Sequence, residues 1–319
     1  MASDYVVVTN CTSRKRAGIP LVRMETRGHA DSLKDAVQRW RELLALQPAV
    51  LPVRQLYVGR SINEAKVVSE ALDAELHVVS AGIGLVAADL TVPGYDLSAA
   101  ATDKGLHSAL ERYSASVTDW WRELTGEQGL RSLLSRSPTL IVLLALPTNY
   151  LRLIFAELQS LPPKDASRLR VFTSTAGARL LAQLPTLPIM PYDERLESLP
   201  AFAGTRSDFP QRALRHFVCQ LGAHKLAVDA ARQEVEIAMS SCVSRAIPSR
   251  RRLTDAEVCD FIRKGWHNCG GNSARLLRYL RDDELVACEQ GRFAELRRRV
   301  SSEFSGQSIP AAKEHFDVS

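Results

Sequence analysis

The sequence predicts an α/β domain: a mostly parallel sheet with helices on both faces, followed by a helical C-terminal region. Two observations carry this. Short apolar runs without a polar break, Tyr5–Val8 and Leu140–Leu146 above all, read as buried strands. Segments of helical periodicity separate such runs in regular alternation up to about residue 185. The chain has 319 residues, 45% of them hydrophobic, which suits about two domains with a sizeable core.

Taken in order, Tyr5–Val8 is the first strand. The loop after it, Asn10–Arg16, changes character at once: an amide, a thiol, two hydroxyls and three cations. In an open α/β sheet, ligands sit where chains leave the carboxyl ends of strands. Asp31 or Ser32 caps a helix to about Leu46, with Leu33, Val37, Trp40, Leu43 and Leu44 at core spacing. Leu56–Val58 reads as a short strand or a lead-in, and Ser61 caps a helix through Leu72. Leu76–Val79 is a buried strand, followed by the small-residue loop Ser80–Gly84, where a ligand can approach backbone N–H groups. Val92–Ser98 is a turn carrying Tyr95 and Asp96. A helix spans roughly Gly105–Leu124, Thr139–Leu146 is the clearest central strand, and Thr148 or Asn149 caps a helix to about Leu158. Arg170–Thr173 is one more strand, with a turn and helix after it.

This organisation gives residues 1–185 as the α/β domain and 186–210 as a Pro-rich linker. Residues 211–304 form a helical, basic region that opens with a helix over 211–240, and 305–319 form a mobile tail. Residues 245–304 hold 13 Lys/Arg against 9 Asp/Glu, so +4 of the net +5 lies there. Within them, two helices joined by the Gly270–Gly271 turn resemble a helix-turn-helix, with Arg275 and Arg278 on the outer face and Arg250, Arg251 and Arg252 leading in. A small bundle with a charged exterior explains the same pattern.

The six cysteines form no CxxC pair, so free thiols in a reducing cytoplasm are expected, with no metal and no cofactor. No apolar run is long enough to span a bilayer. No GxxxxGK[ST], GxSxG or HExxH motif is present, which argues against ATP-driven, serine-hydrolase and zinc-protease chemistry. Cys11 is a candidate nucleophile beside cations, but no histidine lies in the neighbouring loops to activate it.

Four motifs in series, CTSRK at 11–15, LYVGRS at 56–61, VVSAGIGLV at 78–86 and PGYDLS at 93–98, resemble bacterial α/β domains with CSxxK, LY, SAxxGLL and PYD elements. The resemblance covers about the first 180 residues. It departs at GIGLV, where an aromatic-Gly-Leu-Leu form is usual, and at the inserted Gly94. Those domains look like distant relatives of the uracil-DNA glycosylase superfold, and the whole chain resembles antiviral glycosylases that remove modified bases from phage DNA. That resemblance implies that Asn10 positions the attacking water, helped by Asp96, and that the partner is double-stranded DNA.

The chemistry can also be argued from the residues. Breaking an N-glycosidic bond builds positive charge on the sugar and negative charge on the base. Asn10 can orient water in any protonation state, and Asp96 can stabilise the sugar, although an Asx turn also accounts for it. Cys11, Ser13, Ser80 and the backbone at Gly82 offer hydrogen bonds to the base. Tyr57 and Tyr95 can stack on it, or simply pack. Arg14, Lys15, Arg16 and Arg60 can grip phosphates. Two other readings remain: a non-catalytic nucleic-acid-binding sensor, and a transferase acting on a free modified nucleoside or base. The oligomeric state is open.

Overall fold

The computed structural model describes residues 3–24, 30–99, 110–126, 128–243 and 250–305, together with Leu106. The chain divides into two compact units, 1–245 and 246–319.

The first unit is built on a five-stranded sheet. Its strands are β1 (Tyr5–Asn10), β2 (Glu75–Ser80), β3 (Gly84–Ala87), β4 (Ile141–Ala145) and β5 (Leu169–Phe172), in the order β3-β2-β1-β4-β5. All neighbours are parallel except β3, which folds back antiparallel on β2. Val7 lies opposite Leu76 on one side and Leu143 on the other, and all three are buried. An apolar run with no alternation is what a parallel strand covered on both faces requires.

The helices supply the cover. Helix α1 (Leu33–Ala45) starts at Ser32, whose hydroxyl accepts from the Asp35 N–H, and buries Val37, Trp40 and Leu44. Helix α2 (Arg60–Ala71) buries Ile62, Ala65 and Val68. Helix α3 (Val117–Thr125) begins at a Ser116–Asp119 capping box and buries Trp120 and Trp121. The sequence extends this helix back to Gly105, but Ser114 is left-handed and a separate 3-10 turn spans Glu111–Tyr113. Residues 100–105 and 107–109 lie outside the described residues. Helix α4 (Thr148–Leu153) follows β4 with Pro147, not Thr148 or Asn149, at its cap position. Residues Leu56–Val58 do not form a regular strand: Val53–Leu56 is one helical turn, and Tyr57 then bridges Lys15.

The Pro-rich stretch 186–210 is not a linker. Ile189 bridges Val171, and Met190 donates to the Val171 carbonyl at 2.9 Å, so the chain runs along the outer edge of β5. Leu187, Met190, Tyr192, Leu196 and Phe202 are buried in the core of the first unit. Proline removes backbone donors, but an edge position tolerates that. Helix α5 (Phe209–Arg215) continues as a π-turn (His216–Gln220), and its Ala213, Leu214 and Phe217 pack into the same core. The expected single helix over 211–240 is broken at Gly222, which is left-handed at φ +62°; helix α6 (Val228–Ser240) follows. The boundary between units therefore falls near residue 245, not 185.

The second unit holds helices α7 (Asp255–Gly265), α8 (Ser273–Arg278) and α9 (Gln290–Ser305) around its own core of Val258, Ile262, Leu276, Leu280, Phe293 and Leu296. Two short strands, Arg251–Arg252 and Val286–Ala287, pair in parallel beside them. The tail predicted as mobile lies, from residue 306 on, outside the described residues. Among the described residues no helix is long and apolar enough to cross a membrane.

Candidate functional site

From β1 the sheet grows towards β2 on one side, and from β4 towards β5 on the other. The order of connection therefore reverses between β1 and β4, and the crevice beyond their carboxyl ends is the expected ligand site. A hollow of about 380 Å³ lies there. The end of β1 lends it Asn10, Cys11, Ser13 and Arg14; the start of α2 lends Gly59, Arg60 and Ser61; the start of α4 lends Asn149 and Tyr150. Ser207 and Asp208, just before α5, complete the wall.

Asn10 lines this hollow but is only 5% exposed. Its Oδ1 accepts from Gln211 Nε2 at 2.8 Å, and its Nδ2 donates to the Cys11 carbonyl at 2.8 Å. Gln211 Nε2 is also 2.9 Å from the Ala145 carbonyl and 3.0 Å from Thr9 Oγ1. A carbonyl only accepts, so the Gln211 amide must present its NH2 here. That in turn fixes Asn10 with its oxygen towards Gln211. Among the described residues, one lone pair on Oδ1 and one N–H on Nδ2 remain uncommitted. Gln211 is fully buried and thus ties the ends of β1 and β4 together at the floor of the site. Sequence reasoning missed it, because a glutamine 201 positions away carries no local signal.

Beside Asn10, Cys11 Sγ sits 2.9 Å from the Tyr150 hydroxyl. Both residues are buried, and burial pushes the Tyr150 phenol well above the usual tyrosine value, so it stays protonated. The loop that follows is clamped against residues 56–58. Arg16 N–H donates to the Leu56 carbonyl, Val58 N–H to the Arg14 carbonyl, and the single Thr12 O–H to the Arg14 carbonyl at 2.7 Å, with the Val58 carbonyl at 3.2 Å beside it. Of the predicted phosphate-gripping cations, Arg14 and Arg60 line the hollow, and Arg16 is exposed but outside it. Lys15 is turned inward, over the rings of Tyr95 at 5.0 Å and Tyr57 at 5.8 Å. Its Nζ has no hydrogen-bond partner among the described residues, and burial lowers its pKa. It does not face a phosphate.

Four further expectations are corrected by the interior. Tyr57 and Tyr95 are 2% and 0% exposed, so neither offers a face to a base. Their hydroxyls meet each other, and that of Tyr95 also meets Ser80 Oγ. Ser80 is fully buried and its Oγ accepts from the N–H groups of Gly82 and Ile83. Those N–H groups are therefore not free to receive charge on a leaving base. Indoles take the carbonyls of the same loop: Trp40 Nε1 donates to Gly82 O at 2.5 Å and Trp120 Nε1 to Ala81 O at 2.7 Å. A side chain at Gly82 would meet the Tyr95 ring, so the glycine serves packing. Asp96 does not line the hollow; it pairs with Arg23 at 3.3 Å beside the two-residue ladder Val22–Arg23/Tyr95–Asp96. Asp208 is the acid on the wall among the described residues. Its carboxylate is bound to Arg212 at 2.6 Å and to the Thr205 N–H and hydroxyl.

In the second unit the predicted arginines divide. Arg250 bonds the Arg281 carbonyl and Asp282, and Arg251 lies over Phe261 and bonds the Glu284 carbonyl. Those two hold the unit together. Arg252, Arg275 and Arg278 are exposed, with no ion pair among the described residues. The segment between α7 and α8, Trp266–Asn272, is longer than the three or four residues of a DNA-reading helix-turn-helix. Asn272 caps α8 by accepting from the Ala274 and Arg275 N–H groups. Among the described residues no cluster of His, Cys, Asp and Glu could hold a metal ion.

Comparison of the chain with models of known protein families, with curated proteins and with solved structures finds no match to any of them.

Proposed function

We propose that the hollow beyond β1 and β4 is the pocket of a hydrolase that cuts the N-glycosidic bond of a modified base in DNA. The reading assigns the protein to cytoplasmic defence against phage whose genomes carry such bases. The observation that carries it is the Asn10 amide. It lines the hollow, and Gln211 holds it in one orientation with one acceptor position to spare. An amide so held can orient a water for attack on the sugar at any pH. Tyr150 stays protonated and lines the same wall; with the Cys11 thiol donating to its oxygen, its hydroxyl proton is left for a leaving base, and the Asn149 amide, which spends one N–H on the Ala99 carbonyl, offers its second. An extruded base reaches such a recess only out of the stack. Arg14 at the pocket, and Arg252, Arg275 and Arg278 on the second unit, supply cations for the DNA backbone; the Arg60 guanidinium is held by Glu64 and the Ala203 carbonyl.

The test is release of free base from phage DNAs carrying different modifications, read by mass spectrometry. Wild type leaves abasic sites, and Asn10→Ala lowers the rate about 100-fold or more. Equal rates in the two remove Asn10 from the mechanism; no release from any modified DNA removes the reaction. One observation favours a binding module instead: the acid on the wall, Asp208, is fully committed to Arg212 and Thr205. That reading expects tight, salt-sensitive DNA binding without abasic sites.

A further inference from the structure

We infer that the side of this hollow formed by the first turn of α2 is a phosphate-binding subsite. Helix α2 has twelve residues, and its N-terminal end is not closed by any side chain. Gly59, at the cap position, has φ +137°, a conformation open to glycine and strained for any other residue. Glycine carries no side chain to accept from the first N–H groups, as a serine, threonine or aspartate cap does. With glycine instead, no described group accepts from the N–H groups of Arg60, Ser61 or Ile62. Those donors, and the positive end of the helix, are left for an anion.

A second observation points the same way. Ser61 is 8% exposed, lines the hollow, and its hydroxyl has no hydrogen-bond partner among the described residues. That hydroxyl opens onto the hollow rather than into the sealed core, and a ligand or water there completes it. The charges agree. Arg14 is exposed on the hollow wall without an ion pair among the described residues. The Arg60 guanidinium is engaged by Glu64 at 2.9 Å and by the Ala203 carbonyl, so Arg60 contributes its backbone N–H and Arg14 the free cation. Glu64 is offset by both Arg60 and Arg215, Asp208 shares Arg212 with Glu197, and Arg14 adds a further positive charge. The hollow therefore keeps a net positive wall. Ser13 adds a second hydroxyl on the loop facing α2.

The ligand group is a phosphate, carried either by a free nucleotide or by the DNA backbone. The inference rests on the nucleotide reading of the hollow for that identity, but not on any bond being cut. It is tested on the full chain by calorimetric binding of inorganic phosphate, a deoxynucleoside 5′-monophosphate, the matching nucleoside, and a short oligonucleotide without a terminal phosphate. The monophosphate or the oligonucleotide is expected to bind about 10-fold or more tighter than the nucleoside, and inorganic phosphate to compete with it. Ser61→Ala weakens the phosphate-bearing probe about 5- to 10-fold, and Arg14→Gln about 10-fold, with the nucleoside unaffected. Circular dichroism and ligand-free melting confirm that both variants fold. Preference for the monophosphate identifies a free nucleotide as the source, and preference for the oligonucleotide identifies the backbone. No preference for either over the nucleoside, or unchanged phosphate affinity in both variants, overturns the subsite. Phosphate preference without base release defeats the glycosylase reading alone; base release without phosphate preference defeats this one alone.

Discussion

Replacing Gln211 by leucine keeps the side chain's approximate size but removes its amide. In the wild type that amide has two N–H bonds to share among Asn10 Oδ1, the Ala145 carbonyl and Thr9 Oγ1, all in the interior. Losing two buried hydrogen bonds and leaving their acceptors dry costs about 2–5 kcal/mol. Against this, Gln211 Oε1 has no partner among the described residues, and removing it relieves about 1–2 kcal/mol. The net expectation is a loss of about 2 kcal/mol. For a unit of some 245 residues this is a drop of about 4–8 °C in melting temperature. Urea unfolding monitored by tryptophan fluorescence reads it, since Trp40 and Trp120 are buried in the same unit. Gln211→Glu goes further, because a carboxylate facing the Asn10 and Ala145 oxygens is repelled by both. The order of stability at neutral pH is wild type, then Gln211→Leu, then Gln211→Glu. A leucine variant as stable as wild type would show that the amide holds nothing, and the oriented Asn10 would lose its support.

Two further expectations concern buried groups away from the hollow. His216 is 3% exposed and its Nδ1 meets the Tyr192 hydroxyl; burial holds its pKa down at about 4. The unfolded chain takes up the proton first, near the ordinary value of about 6.5, so the stabilisation is complete above that pH and is lost as pH falls towards 4. The loss is up to about 3 kcal/mol, and His216→Gln should flatten the stability–pH profile over this window in urea titrations. Tyr57→Phe removes the hydroxyl shared with Tyr95, costing about 1 kcal/mol, while nucleotide affinity stays within about twofold of wild type. A tenfold loss of affinity in that variant would return Tyr57 to the site as a stacking surface.

Much of the sheet was legible because its central strands are uninterrupted apolar runs: Val6–Val8 and Val142–Leu146 are all buried. The placement of Asn10, Cys11, Ser13 and Arg14 followed from the rule that ligands gather beyond the carboxyl ends of strands. What failed was reading exposure from residue type. Tyr57, Ser80 and Tyr95 carry polar tips, yet these satisfy one another in the interior, which no local pattern reveals. The Pro-rich stretch misled for a related reason. Its prolines spoke of a linker, while Leu187, Met190, Tyr192 and Leu196 between them spoke of burial. Gln211 was out of reach, since only the three-dimensional return of α5 brings it to β1.

That return has a bearing on biogenesis. Strand β1 leaves the ribosome well before α5, and the group that steadies its last residue is encoded 201 positions later. At translation rates of 5–20 residues per second, Asn10 waits about 10–40 s for its donor. Through that interval a nascent chain holds the strand without its lock, exposed to holdase chaperones and to mispairing. A ribosome stalled before α5 would display a polypeptide with no finished recess, so ligand-dependent protection from protease should arise only once residue 211 has cleared the exit tunnel.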